Sequence, residues 1–508
     1  MISVPNPGSL ATRIRAVGQK FGDRPAIWDD GATATHGELH ALARKLGDCI
    51  NALVAPGLPV ALLLPRSLES FIGIVAALLT DRAYVPLNSE FPPERLMSIC
   101  RSAQPGAVLC CEETRAKGEA LLGHLPEETC LFSMEGDLLK RGEVANAVPL
   151  RGPGEDTAYL IFTSGSTGEP KGVRITQANV CAYLDSIDPL VQVTQSDRLT
   201  QFPDHYFDLS VHDIFVGLTS GAELCILPKH RLMEVTEFVR ERDITAWCSV
   251  PSVLAFCEKL GHLAPGSLPS IRVSVFCGEP LPTRLAAAFA KAAPNMRLIN
   301  LYGPTEATVA LTAYEIKDFD AIRSLPIVPL GWAMGEQICR IDAPEGELEG
   351  EIILGGSQVS KGYINAPELN VQKFFTGADG VAYYRTGDIG RRSEDFGAVF
   401  VSRIDDQVKV NGYRIELHEI DAAVARASGS AEVAAIAWPI TADGHAEGIV
   451  AFVVAPKATA TDIRKACRKL LPSYMVPRQI VEIDHMPLSV NGKIDRKVLK
   501  KTMDAARP

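Results

Sequence analysis

The sequence predicts an α/β protein with more than one domain, on three observations. Its 508 residues are too many for one hydrophobic core. Short apolar runs such as Val60-Ala61-Leu62-Leu63-Leu64 alternate with stretches of helical periodicity, the pattern of a parallel sheet covered by helices. Apolar content of 46% and charged content of 22% are those of a globular protein.

The elements follow in order. Leu10 to Phe21 and Leu39 to Leu53 carry helical periodicity, with a short strand at Ala26-Ile27-Trp28. Val60 to Pro65 reads as a buried strand, and Ser67 can cap the helix after it. Phe91-Pro92-Pro93-Glu94-Arg95-Leu96 opens another helix, with Pro in its first turn. Gly118 to Pro153 is polar and reads as irregular surface connection. Ala246 to Ser252 and Ile271 to Pro282 are strands, the first running into a helix start. Gly350 to Gly356 is β-rich, and the last hundred or so residues suffice for a small further domain.

Several function classes are disfavoured. A net charge of −10 argues against a general nucleic-acid binder, leaving only local basic patches. The first residues lack the unbroken apolar core of a signal peptide. The run Phe71 to Leu79 falls far short of the ~20 residues that span a bilayer. The 12 cysteines are scattered without zinc-like spacing, as expected for reduced thiols in a cytoplasmic protein.

The most informative stretch is Leu160-Ile161-Phe162-Thr163-Ser164-Gly165-Ser166-Thr167-Gly168-Glu169-Pro170-Lys171-Gly172. An apolar run stops at hydroxyls, glycines and one lysine, which together suit a polyphosphate. It is not a Walker A loop: Pro170 precedes the lysine, and Gly172 to Ile175 reads as a strand before a helix cap at Thr176. On composition alone, a flexible surface loop fits equally well.

Thr163 to Gly172 resembles the phosphate loop of the adenylate-forming superfamily, which holds acyl-CoA synthetases, luciferases and the adenylation domains of nonribosomal peptide synthesis. All ten motif regions of that family have counterparts in order. They include Thr35 to Leu39, Tyr84 to Leu87, Leu301-Tyr302-Gly303-Pro304-Thr305-Glu306, Val359 to Tyr363, Tyr384 to Asp388, Ser402 to Glu416, Leu471 to Pro477 and Pro487 to Asp495. The family usually has Gly where this chain has Ser402. The resemblance implies an N-terminal core domain, 1–404, of two α/β subdomains and a distorted β-barrel. A mobile α+β C-terminal domain, 405–508, would follow, with Asp405 at the hinge.

The resemblance also implies roles for single residues, with ATP and Mg²⁺ as cofactors. Thr163, Ser164, Gly165, Ser166, Thr167 and Lys171 would hold phosphates. Gly278 and Glu279 would flank the nucleotide, Tyr302 would stack on adenine, and Asp388 would accept from the ribose hydroxyls. Arg403 would contact ribose or phosphate, Thr305 would bond a phosphate, and Glu306 would ligate Mg²⁺. Lys493 would be the mobile catalytic lysine, although a lysine beside an Asn-Gly turn is most often simply exposed.

Asp208 discriminates within the superfamily. On its residues alone it is either a helix N-cap or a ligand group. The segment Phe207-Asp208-Leu209-Ser210-Val211 resembles that of amino-acid-activating members, whose aspartate receives the substrate ammonium. The matching specificity pocket is Asp208, Leu209, His212, Ser249, Val275, Cys277, Leu301, Val309 and Ala310. Cys277 could equally be a core thiol and His212 a packed helix residue. Phe276-Cys277-Gly278-Glu279 and Tyr302 to Ala310 look most like D-alanine–D-alanyl-carrier-protein ligases and free-standing adenylation domains.

The implied activity is activation of a small amino acid, of alanine, proline or serine size, as aminoacyl-AMP. Transfer to the phosphopantetheine of a carrier protein follows, in D-alanylation or secondary metabolism. Only fifteen residues follow Lys493, so the carrier is expected on another chain. The alternatives are an acyl- or aryl-CoA synthetase of the same superfamily and a non-catalytic nucleotide-binding protein.

Overall fold

The computed structural model describes residues 9–143, 152, 154, 156–165, 170–441, 446–488 and 494–505. The chain divides into two units. The first comprises Met1–Ser89, Ile99–Phe162 and Gly172–Ser402, and the second Glu90–Ser98, Thr163–Lys171 and Arg403–Pro508. Relative to a division at 404/405, the second unit starts at Arg403 and also takes in two short segments from the N-terminal part.

The first unit is built on two large sheets. One has nine strands, and its parallel centre contains Arg198–Gln201, Glu223–Ile226, Ala246–Ser249, Val273–Phe276 and Arg297–Tyr302. The other has seven strands, with Val60–Leu63, Tyr84–Pro86 and Ala107–Cys110 parallel in its middle. One apolar cluster takes Val60, Leu62 and Leu109 from the second sheet and Leu199 and Leu224 from the first. The helices His36–Leu53, Leu68–Leu79, Gln177–Val191 and Leu209–Ser220 add to that cluster, so two sheets share a helical layer. This is the α/β class expected. The β-rich part that follows is an antiparallel five-stranded sheet containing Ile338–Asp342, Glu349–Gly355 and Ala382–Ser393.

Local chemistry explains the element boundaries. Thr35 and Glu38 form a capping box at the start of His36–Leu53, so the helix begins three residues earlier than its apolar periodicity suggests. Its end is fixed by Arg82, which is 1% exposed and donates to the Val54, Ala55 and Leu58 carbonyls. The expectation for 118–153 is corrected. Within it, Cys130–Phe132 and Leu138–Arg141 are strands at the edge of the seven-stranded sheet. A three-residue strand is shorter than the alternation needed to recognise it, yet all three of its side chains are buried. All twelve cysteines are free thiols. Among the described residues, no helix is long and apolar enough to cross a membrane.

The second unit has a three-stranded sheet of Val433–Ala437, Ile449–Val454 and Gln479–Ile483, packed by Leu417–Ser428 and Ala460–Leu470. It is the small α+β unit expected. The hairpin Gln407–Val410/Tyr413–Glu416 turns on Asn411 and Gly412 at φ +50° and +83°. Positive φ at both central residues is the two-residue turn that matches strand twist, and Asn-Gly favours it.

Candidate active site

The parallel strands of the nine-stranded sheet set the site. Tyr302 ends one of these strands, and Asp208, Gly278 and Glu306 follow their carboxyl ends, where ligands bind in open α/β sheets. Two close approaches shape the turns. Gly278 has φ +91°, a region that disfavours side chains. A Cβ on Gly303 would lie 2.6 Å from the Ala310 Cα, so only glycine lets these two segments meet.

Tyr302 ends its strand, and its hydroxyl donates to Asp388 Oδ2 at 2.6 Å. Burial first, and then the Asp388 charge, raise the phenol pKa. Thr305 and Glu306 lie in the one-turn 3₁₀ helix Thr305–Ala307, and both are buried. Glu306 Oε1 accepts from the Tyr363 hydroxyl at 2.5 Å, and Tyr384 Oη lies 3.2 Å from that hydroxyl. Glu279 accepts from the Ser252 backbone N–H at 2.9 Å, at the start of helix Pro251–Lys259.

Asp208 occupies the N-cap position of Leu209–Ser220 but makes no side-chain capping bond. It is half-buried. Leu209, Val275, Cys277, Leu301, Val309 and Ala310 are all buried in one apolar cluster, and His212 is buried on the same helix. Tyr183 Oη lies 2.6 Å from His212 Nδ1, and burial lowers the imidazole pKa to about 4, leaving it neutral at pH 7.

Ser249 does not join this group. Side chains alternate along Ala246–Ser249: Ala246 and Cys248 enter the cluster of Val273, Val275 and Cys277, whereas Trp247 packs in another. Trp247 Nε1 donates to Ser249 Oγ at 2.8 Å, so Ser249 sits with Trp247. Cys248, and not Ser249, is the residue of this strand that shares the cluster of Val275 and Cys277.

Val309 stands at φ +68° and Thr308 at +55°, uncommon for β-branched residues. Gln358 holds this turn. Its backbone carbonyl accepts from Thr308 Oγ1 at 2.6 Å and its amide donates to the Ala310 carbonyl at 2.7 Å. The strained turn directs the Val309 carbonyl toward Cys277 Sγ, 3.8 Å away. Gln358 and Tyr363 were not singled out for these roles in the sequence, because both act from some fifty residues away. Gln358→Ala is expected to cost about 1–3 kcal/mol in denaturant unfolding, since buried acceptors lose their donor.

In the second unit, Ser164 Oγ donates to the Arg414 carbonyl at 3.0 Å and accepts from the Glu416 N–H at 3.2 Å. Lys171 Nζ lies 3.6 Å from Glu416 Oε1. Thr163 ends the strand Thr157–Thr163, and Gly165 follows Ser164. Arg403 binds Asp405 through two bonds of 2.7 and 2.8 Å. Ser166, Thr167 and Lys493 lie outside the described residues. Leu488 and Ile494 pair as an antiparallel bridge on either side of the Lys493 segment.

The AMP-binding enzyme family matches residues 14–364, and the AMP-binding enzyme C-terminal domain matches residues 419–493. The chain is 32% identical to a D-alanine–D-alanyl carrier protein ligase of Lactiplantibacillus plantarum, over 93% of this chain and 95% of that protein. It is 33% identical to surfactin synthase subunit 2 of Bacillus subtilis, over 93% of this chain and 13% of that protein. The solved adenylation domain AlmE of Vibrio cholerae, in complex with glycyl-adenosine-5'-phosphate, superimposes with a TM-score of 0.86 at 30% identity, covering 99% of each chain. The chain therefore belongs to the AMP-binding enzyme family, as an AMP-forming adenylating ligase grouped with the amino acid–carrier protein ligases.

Proposed function

We propose that the protein activates a small amino acid with ATP and passes it to the phosphopantetheine thiol of a carrier protein. The observation that carries this is Asp208. It stands half-buried at the start of helix Leu209–Ser220, and Leu209, Val275, Cys277, Leu301, Val309 and Ala310 share one buried apolar cluster. A fixed half-buried carboxylate suits the α-ammonium of an amino acid. The substrate is of glycine, alanine, proline or serine size. Support comes from the size of Leu301 and the polarity of His212, both buried, from a relative named D-alanine–D-alanyl carrier protein ligase, and from a solved structure in complex with glycyl-adenosine-5'-phosphate.

In the first step the substrate carboxylate attacks the α-phosphorus of ATP, and pyrophosphate leaves. In the second the carrier thiol attacks the carbonyl, and AMP leaves. Positioning and charge compensation are the protein's share of the first step. Tyr302 stacks on adenine, Asp388 takes the ribose hydroxyls, and Gly278 and Glu279 flank the base. Thr305, Arg403 and the loop of Thr163, Ser164, Gly165, Ser166, Thr167 and Lys171 contact phosphates. The Tyr302–Asp388 hydrogen bond supports the pairing of base and ribose contacts. Glu306, fixed by Tyr363, offers a carboxylate of the kind Mg²⁺ accepts together with phosphate oxygens. Lys493 completes the first step, and the second unit turns about Asp405 for the second step.

Amino-acid-dependent exchange of labelled pyrophosphate into ATP tests the reading. Exchange with one or a few small amino acids is expected. Silence with every amino acid but activity with fatty or aryl acids would instead identify a CoA synthetase. ATP binding without any exchange would identify a non-catalytic protein.

A further inference from the structure

Helix Leu209–Ser220 and strand Ala246–Ser249 bring together three side chains of ligand type: His212, Asp213 and Cys248. One ligand atom from each lies within 4.8 Å of the other two, and all three residues are buried. They wall a cavity whose remaining lining is mostly aliphatic, with Val193, Leu199 and Val273 among it. Asp213 is 1% exposed, and the groups that face its carboxyl are the Cys248 thiol and the more distant Arg66 guanidinium. A buried carboxyl held only by a thiol is poorly compensated as a carboxylate, and a cation between the two would compensate both.

The imidazole is already oriented. Tyr183 Oη engages His212 Nδ1, so Nε2 is the nitrogen that would ligate, an arrangement like the outer-shell support of metal-bound histidine. We infer that His212, Asp213 and Cys248 bind a divalent transition-metal ion, zinc by donor type, at a site separate from the Mg²⁺ proposed at Glu306. Sulfur, nitrogen and oxygen donors together favour zinc over magnesium. Thiolate and carboxylate contribute two negative charges, which a dication offsets. Binding Zn²⁺ releases the thiol proton and, where the carboxyl is protonated, that proton as well; no electron is transferred. The ion ties the helix that begins beside Asp208 to the neighbouring strand, so its role is to fix the anchor's support.

The test uses the full chain without a polyhistidine tag. Elemental analysis should find about one zinc per chain after purification. Cobalt titration of metal-free protein should give a thiolate-to-cobalt charge-transfer band in the near ultraviolet. Cys248→Ala should abolish that band, and Asp213→Asn should weaken metal binding about tenfold or more. If Cys248→Ala does not fold, Asp213→Asn and wild-type cobalt spectra still decide. Wild-type protein with less than about a tenth of an equivalent of zinc and no cobalt–thiolate band would overturn the assignment. So would metal binding unchanged in both variants. Pyrophosphate exchange plays no part in these readouts, so the site and the proposed activity fail separately.

Discussion

Asp208→Ala is expected to lower kcat/KM for amino-acid-dependent pyrophosphate exchange by about 10²- to 10³-fold, with the fold intact. The ammonium of the substrate would then enter a half-buried pocket without its counter-charge. Removing one partner of a desolvated ion pair costs far more than the pair contributes, because the other charge stays unpaired. Asp208 makes no side-chain capping bond, so its replacement takes no side-chain cap from helix Leu209–Ser220. Thermal unfolding is measured on the same variant. That separates a lost anchor from a damaged fold.

Lys493→Ala is expected to slow adenylate formation by about 10²- to 10³-fold, the usual cost of removing one donor aimed at transition-state charge. Transfer from preformed aminoacyl-AMP to a carrier thiol should change little. The reason is a division of labour: a lysine that offsets charge on the phosphates has no task once pyrophosphate has left. Single-turnover measurement of each half-reaction checks this. Equal loss of both would contradict the proposal that the second unit serves the two steps in different orientations.

Much of this architecture is written locally. Thr35 and Glu38 announce their helix by a three-residue spacing that the capping box requires. Strand–helix alternation places Asp208, Gly278 and Tyr302 at or after strand ends, which is where open α/β sheets present ligands. What was not legible depends on burial and on distance along the chain. Ala246–Ser249 is buried on both faces, so no polar alternation marks which side Ser249 takes. Tyr363 reaches Glu306 across 57 positions, and Gln358 reaches Thr308 across 50. No local pattern encodes such pairs. Cys130–Phe132 is too short to carry a period, and its burial comes from the sheet it joins.

The central claim is that Asp208 receives the α-ammonium of the substrate. Its most direct test compares an accepted amino acid with its deaminated counterpart, alanine with propionate for example, in wild-type protein and in Asp208→Ala. The wild type should exchange pyrophosphate with the amino acid and hardly at all with the deaminated acid, and the substitution should remove that preference. Equal rates with both acids in the wild type, or amino-acid kinetics unchanged by the substitution, would contradict the account.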